Sequence, residues 1–357
     1  MKQLLFDILP IDFVIDNSKL YLNKKYEYIL DQLKYEVTSI LNKDSLLSLK
    51  EKAKQNSIED NPINWYCLNV LGSLILLKPS LDKIEFINKV IEQADTGQNV
   101  LNVSIYDYES NGFQYNIPLD INNVLNLNFD GIETFNEIDQ YEKWESVFIK
   151  ALETIRSVNL QVLFDINPLV KSILVIKTEG ESHGSMSPKS LTGTVYLPQL
   201  EDSTLIAECF VHECLHQYLY RLEHISSLFN NNDGLDELYY SPWKDEPRPL
   251  IMVLHGAFVF TGVMMFYHEL CKKKLPNKFI KTFKERISYR GSQVGIALDV
   301  LSSNNKLTKF GNDILQILEN YLIEIKRSDY YDDSIEIDQV LDHLNQYSTK
   351  SYKHVSV

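Results

Sequence analysis

Apolar residues spaced three and four apart dominate the first hundred positions. In KLYLNKKYEYILDQLKYEVTSILN they draw the stripe of a helix that packs on one side. DSLLSLKEKAKQ follows with Asp44 or Ser45 as N-cap, INWYCLNVLGSLILL is apolar enough for a core helix, and LDKIEFINKVIEQA ends at the breaker Asp95-Thr96-Gly97. The period then changes. NVLNVSIYDYE and NGFQYNIPLDI, on either side of Ser110-Asn111-Gly112, are rich in β-branched and aromatic residues and predict a hairpin or two adjacent strands. A helix is predicted over 141–158. SILVIKTEG and TGTVYLPQL read as two more strands joined by the polar stretch 181–191, and from Thr204 onward the chain reads as mostly helical. The acidic stretch SDYYDDSIEID after Arg327 is expected to be partly mobile before a last short helix. The pattern predicts an α+β protein, mostly helical with a small sheet. A composition shift near 100 divides a helical N-terminal region, 1–100, from a second region, 101–357.

Composition narrows the function classes. The 357 residues are 44% hydrophobic and 24% charged, enough to bury a sizeable core, and 13 Gly with 11 Pro exclude collagen and bulk disorder. Lys plus Arg number 35 against 49 acids, a net charge of −14, which disfavours nucleic acid and anionic lipid as partners. The four cysteines, Cys67, Cys209, Cys214 and Cys271, are too few for a disulfide scaffold in a chain of this length. They read as buried reduced thiols of a cytoplasmic protein. The N-terminal stretch lacks the order of a signal peptide, because Asp7, Asp12 and Asp16 interrupt it.

One segment has the composition of a membrane span. LIMVLHGAFVFTGVMMFY, 250–267, runs for 18 residues without Asp, Glu, Lys or Arg, at the threshold for crossing a bilayer. A histidine and two glycines lie inside it and no second such segment exists, so it is expected to be a helix buried on all sides by protein.

The chemistry-bearing segment is STLIAECFVHECLHQYLYRLEHISSLF, which contains His212-Glu213-Cys214-Leu215-His216. Positions four apart lie on one helical face, one turn above the other, so both imidazoles can share a metal ion. Glu213 stands beside the first of them. The longer metzincin pattern is excluded by Leu219 and Leu222, where a Gly and a third His would stand. Glu237 and Glu246 lie in range as a third ligand, but their surroundings carry three prolines and read as a loop, a poor platform for a rigid ligand. His255 is the better third ligand. It sits in so apolar a helix that its polar side chain demands a partner. His183, in the loop SHGSMS, ranks second. His224 lies two turns beyond His216, too far to share the ion.

The order of features is then specific. A polar loop with Ser185-Met186-Ser187 precedes the strand TGTVYLP, then HExxH, then Trp243 and Arg248-Pro249 ahead of His255-Gly256. Over roughly 172–322 this resembles the HExxH-motif family of iron- and 2-oxoglutarate-dependent peptide hydroxylases found beside ribosomal peptide natural-product pathways. HExxH alone is shared with many zinc peptidases; HExxH joined to RPxxxxxHG is much more specific. The resemblance implies Fe(II) held by His212, His216 and His255, 2-oxoglutarate as cosubstrate, and a precursor peptide as substrate. It makes 101–357 a metal-binding catalytic domain in which the HExxH helix packs against the buried apolar helix.

Such chemistry needs a fixed cation for the distal carboxylate of 2-oxoglutarate, best an Arg fork. Arg248 is the first choice, and Arg286 with Arg290 the second. Ser185, Ser187 and the backbone around Gly193 are candidates for cosubstrate or peptide binding, and Glu213 for orienting a ligand. The alternative is a zinc metallopeptidase with Glu213 as general base on a metal-bound water. A third possibility is a non-enzymatic scaffold. The N-terminal region carries no recognisable motif; leader recognition or a homodimer contact is open to it.

Overall fold

The computed structural model describes residues 14, 16–17, 20–22, 24, 103–107, 112–115, 138–158, 169–170, 172–176, 184–189, 192–230, 234–235, 237–332 and 355–356. It bears out a mostly helical α+β protein with little sheet. Of the N-terminal helices, only a few residues between 14 and 24 are described, and these are helical; the predicted elements from 25 to 100 lie outside the described residues. The described chain falls into two compact units. One comprises Asp12–Ala151 with Asp165–His224, the other Leu152–Phe164 with Ile225–Val357.

The first unit holds the sheet elements and the HExxH helix. β1 (Val103–Asp107) and β2 (Gly112–Tyr115) pair antiparallel, the hairpin expected around Asn111-Gly112. Helix α1 (Ile138–Ser157) follows the predicted 141–158 closely and belongs to this unit through Ala151. Its Trp144 and Phe148 stack at 4.8 Å, and Phe148 meets Phe210 edge-on at 5.1 Å. Pairs of this kind contribute beyond their buried area. β3 (Ser172–Ile176) and β4 (Thr194–Pro198) pair in parallel, in register from Ser172 opposite Thr194 to Ile176 opposite Pro198. Every residue of β4 is buried. The polar stretch between the two strands was expected only to join them. Its described part, 184–189, lies along the side of β4 away from β3, where Met186 and Tyr196 form an antiparallel bridge.

Prolines limit that bridge to one residue pair. The next pairs out would set residue 184 against Pro198 and Pro188 against Thr194, and proline has no N–H to give a ladder. The carbonyls left over find other donors: Trp144 Nε1 donates to Pro198 O at 3.2 Å, and Gln217 Nε2 to Thr194 O at 3.3 Å. Helix α2 (Ser203–Ile225) follows. Asp202 caps it, its Oδ1 accepting from the N–H groups of Thr204 at 2.8 Å and Leu205 at 3.3 Å. Its apolar face, including Ile206, Phe210, Val211, Leu215, Leu219 and Leu222, is buried.

The second unit is built on three helices. Short strands β5 (Leu238–Tyr239) and β6 (Arg248–Pro249) pair antiparallel, and β7 (Val355–Ser356) adds parallel to β5. α3 (Leu250–Cys271), α4 (Asn277–Ser303) and α5 (Lys309–Lys326) pack together. Among the described residues α3 is the one helix long and apolar enough to cross a membrane, and 78% of its apolar window is buried inside protein. It is therefore a core helix of this unit, as expected. The start of the acidic stretch is not loose: Asp332 N–H donates to Ser288 Oγ at 2.9 Å, and Tyr330 packs edge-on against His268 with ring centroids 5.5 Å apart. The remainder lies outside the described residues until β7.

His268, on α3, is 2% exposed and its Nδ1 has no partner. Burial, aided by the Lys272 charge and opposed by Glu269, pushes its imidazole down to about 4. The unfolded chain takes up this proton near its ordinary 6.5, the folded chain only near 4. Above pH 6.5 the group is neutral in both states. Between these values the unfolded state binds more protons, so stability is lost as pH falls from 6.5 towards 4, by up to ~3 kcal/mol. Urea unfolding across that window should show this loss in the wild type. His268→Phe should flatten it, and an unchanged slope would place the acid sensitivity elsewhere.

Candidate metal centre on the HExxH helix

The i,i+4 spacing does in the first unit what helical geometry requires. His212 and His216 lie on one face of α2, both half-buried, with ring centroids 4.9 Å apart and planes at 71°. Tyr220, one turn on, lies nearly parallel to the His216 ring at 6.0 Å. Two imidazoles this close, on one helical face, can ligate one ion together. His224 faces other company, stacked on Tyr21 at 5.6 Å.

Glu213 turns inward. It is 1% exposed, its Oε1 accepts from Ser185 Oγ at 2.6 Å, and its Oε2 is buried with no partner. Burial pushes the carboxyl up to about 8, and the Ser185 bond opposes that shift. Cys214 is fully enclosed; burial first, and then the Glu213 charge, push its thiol well above the ordinary range. Cys271 is also buried and outside any disulfide, as expected; Cys209 is outside any disulfide too but only half-buried, against the expectation of a buried thiol, and Cys67 lies outside the described residues.

The loop Ser185-Met186-Ser187 is pinned to the same helix by residues that the sequence reading did not single out. Gln217, one turn beyond Glu213 and fully buried, donates to Ser187 Oγ at 2.6 Å and accepts from Gly193 N–H at 2.7 Å. Tyr220 OH donates to Ser187 O at 3.0 Å, and Lys189 pairs with Glu223. The signal was present. Polar residues at 213, 217 and 220 stand four and three apart on a helix otherwise apolar on that side, which marks a polar contact face. Ser185 and Ser187, proposed from sequence for cosubstrate binding, thus have their hydroxyls engaged by α2.

In the second unit His255 is 3% exposed, on a helix whose other buried residues are almost all apolar. The glycine after it has a packing reason. A Cβ at Gly256 would stand 2.5 Å from Trp243 Cε3, so the indole lies directly on the helix backbone there. Trp243 stacks on Phe260 at 5.2 Å, and the Arg290 guanidinium lies 4.2 Å from the Phe260 ring centre. Arg290 also donates to Gln293 Oε1 at 2.9 Å, while Gln293 Nε2 donates to Pro242 O at 2.7 Å. Arg290 is thereby part of a packed layer that ties the Trp243 segment to α4. Arg286 lies over Tyr267 at 5.5 Å.

Arg248 is differently placed. It sits in β6, half-exposed, with a loose pair to Glu246 at 3.8 Å, and its Nε is a buried donor with no partner among the described residues. Of the arginines considered from sequence, Arg248 keeps a spare donor. Glu237 is held by Tyr239 OH and by Lys306 Nζ at 2.9 Å, and these bonds keep its carboxyl below the usual range. His183 lies outside the described residues. Within either unit, among the described residues, no three His, Cys, Asp or Glu side chains gather as a metal-binding group; the His212–His216 pair is the part in place. No protein-family model matches the chain, and no curated protein matches it.

Proposed function

We propose that this protein is a cytoplasmic Fe(II)- and 2-oxoglutarate-dependent oxygenase that hydroxylates a side-chain carbon, at the β position, of a ribosomally made peptide. The observation that carries the reading is the treatment of the motif's three polar residues. The two imidazoles share one half-open face, while the carboxyl between them is drawn inward onto Ser185. A peptidase needs that carboxyl free to take a proton from water. An oxygenase does not. The donor set fits the ion: imidazoles suit iron as well as zinc. His212 and His216 would hold it, with His255 as third ligand. When bound, ferrous iron supplies the redox chemistry that couples decarboxylation of 2-oxoglutarate to succinate with transfer of one oxygen atom from O2 to a C–H bond.

The chain's own residues bind and orient. The unpartnered Nε of Arg248 suits a charge-assisted bond to the distal carboxylate of 2-oxoglutarate. Glu213 ties the Ser185 strand to the helix that carries both histidines.

The test uses anaerobically purified protein. With Fe(II) and 2-oxoglutarate it should develop a visible charge-transfer absorption that Zn(II) does not give, and on admitting O2 it should form succinate. Glu213→Gln keeps an oxygen to accept from Ser185, so succinate formation should persist, whereas loss of a general base costs about 10²–10⁴-fold. Peptide cleavage supported by Zn(II), indifferent to 2-oxoglutarate and abolished in Glu213→Gln, would replace this reading with the peptidase.

A further inference from the structure

Among the described residues, the bridge strand has an open side. Met186 and Tyr196 exchange both backbone bonds, Met186 N to Tyr196 O at 3.0 Å and Tyr196 N to Met186 O at 2.7 Å. In an extended strand the N–H and C=O of successive residues point to opposite edges. Those of Ser185 and Ser187 therefore point away from β4. The Tyr220 hydroxyl reaching Ser187 O from that side agrees with this. The carbonyl of Ser187 is thus taken and Pro188 has no N–H, which leaves the Ser185 N–H and C=O as a complete, unpartnered donor–acceptor pair among the described residues. Ser185 is not buried, and its strand cannot shift freely. The Ser185 side chain is held by Glu213 and that of Ser187 by Gln217.

We infer that the outer edge of the Ser185–Ser187 strand is the docking site for the main chain of an extended peptide, which adds to it as a β-strand with Ser185 supplying the paired N–H and C=O. The inference rests on the reading of this site as one that acts on peptides, and it adds how the peptide is held. A rigid strand with an unpaired main-chain donor and acceptor complements any extended backbone. Because the bonds go to main chain, docking fixes the peptide's register and direction while leaving side-chain choice to other surfaces. The strand's fixed attachment to Glu213, next to His212, places the docked segment in constant relation to the HExxH helix.

The test starts from a display library of random ten-residue peptides selected on the full-length protein. The best peptide is synthesised and N-methylated at one position at a time. The expected scan has one position where N-methylation weakens binding about tenfold, with its two neighbours changed by less than ~2-fold, since alternate N–H groups face away. Ser185→Thr, which keeps both the main chain and a hydroxyl for Glu213, should bind the peptide within ~2-fold of wild type, and Ser185→Pro, which removes the N–H, should lose it. The N-methyl scan stands even if Ser185→Pro fails to fold. Failure to enrich any peptide, a scan flat at every position, or tight binding to folded Ser185→Pro would each overturn the inference. Binding of 2-oxoglutarate to the Fe(II)-loaded protein is measured in parallel. An alternating scan without that binding would retain the edge and reject the oxygenase; the converse would retain the oxygenase and reject the edge.

Discussion

Alanine at His212, His216 or His255, one at a time, is expected to abolish the proposed metal binding and turnover. Two of these imidazoles stand 4.9 Å apart on one helical face, and loss of either leaves too few donors to hold a first-row ion. His255 is the third ligand of the proposed site and lies 3% exposed on α3. Metal content after anaerobic reconstitution is the primary measurement. The rise in melting temperature on adding Fe(II) is a second, because an ion that binds only the folded state stabilises it by mass action. Both should vanish in the three variants and persist in His224→Ala, since His224 packs on Tyr21 instead. Full metal retention in His255→Ala would send the search for a third ligand to His183 or Glu246. Glu237 is the poorer substitute, because Tyr239 and Lys306 already engage it.

The second large effect is on stability. Gln217→Leu is expected to cost roughly 3–5 kcal/mol, because the carboxamide serves several buried groups and an unsatisfied buried group costs about 1–3 kcal/mol. Leucine would remove the bonds that Gln217 makes to Ser187 Oγ, the Thr194 carbonyl and the Gly193 N–H. Denaturant unfolding of the metal-free protein measures the loss directly. A change below ~1 kcal/mol would mean that water or a rotated Ser187 replaces the amide, and that the loop does not depend on this clamp.

The sequence determined the local structure of this protein. The 3.6-residue period placed the HExxH helix and put both imidazoles on one face. The unbroken apolar run marked α3 as a core helix, and β-branched stretches located β1 to β4. All of these follow from backbone geometry acting over a few residues. Tertiary structure decided what depends on partners distant in the chain. It turned Glu213 inward onto Ser185, 28 residues away, and set Gln217 between Ser187 and Gly193. It set Met186 against Tyr196 of β4, where the prolines at 188 and 198 cut the ladder to a single bridge. It drew Arg290 into the layer with Phe260 and left Arg248 a spare donor; from sequence each was merely an arginine near the motif. It also packed Trp243 onto Gly256, a contact no local pattern encodes. Periodicity records which face of an element is apolar. Which polar atom meets which is settled only when the faces pack and each buried donor and acceptor must find a partner within about 3 Å.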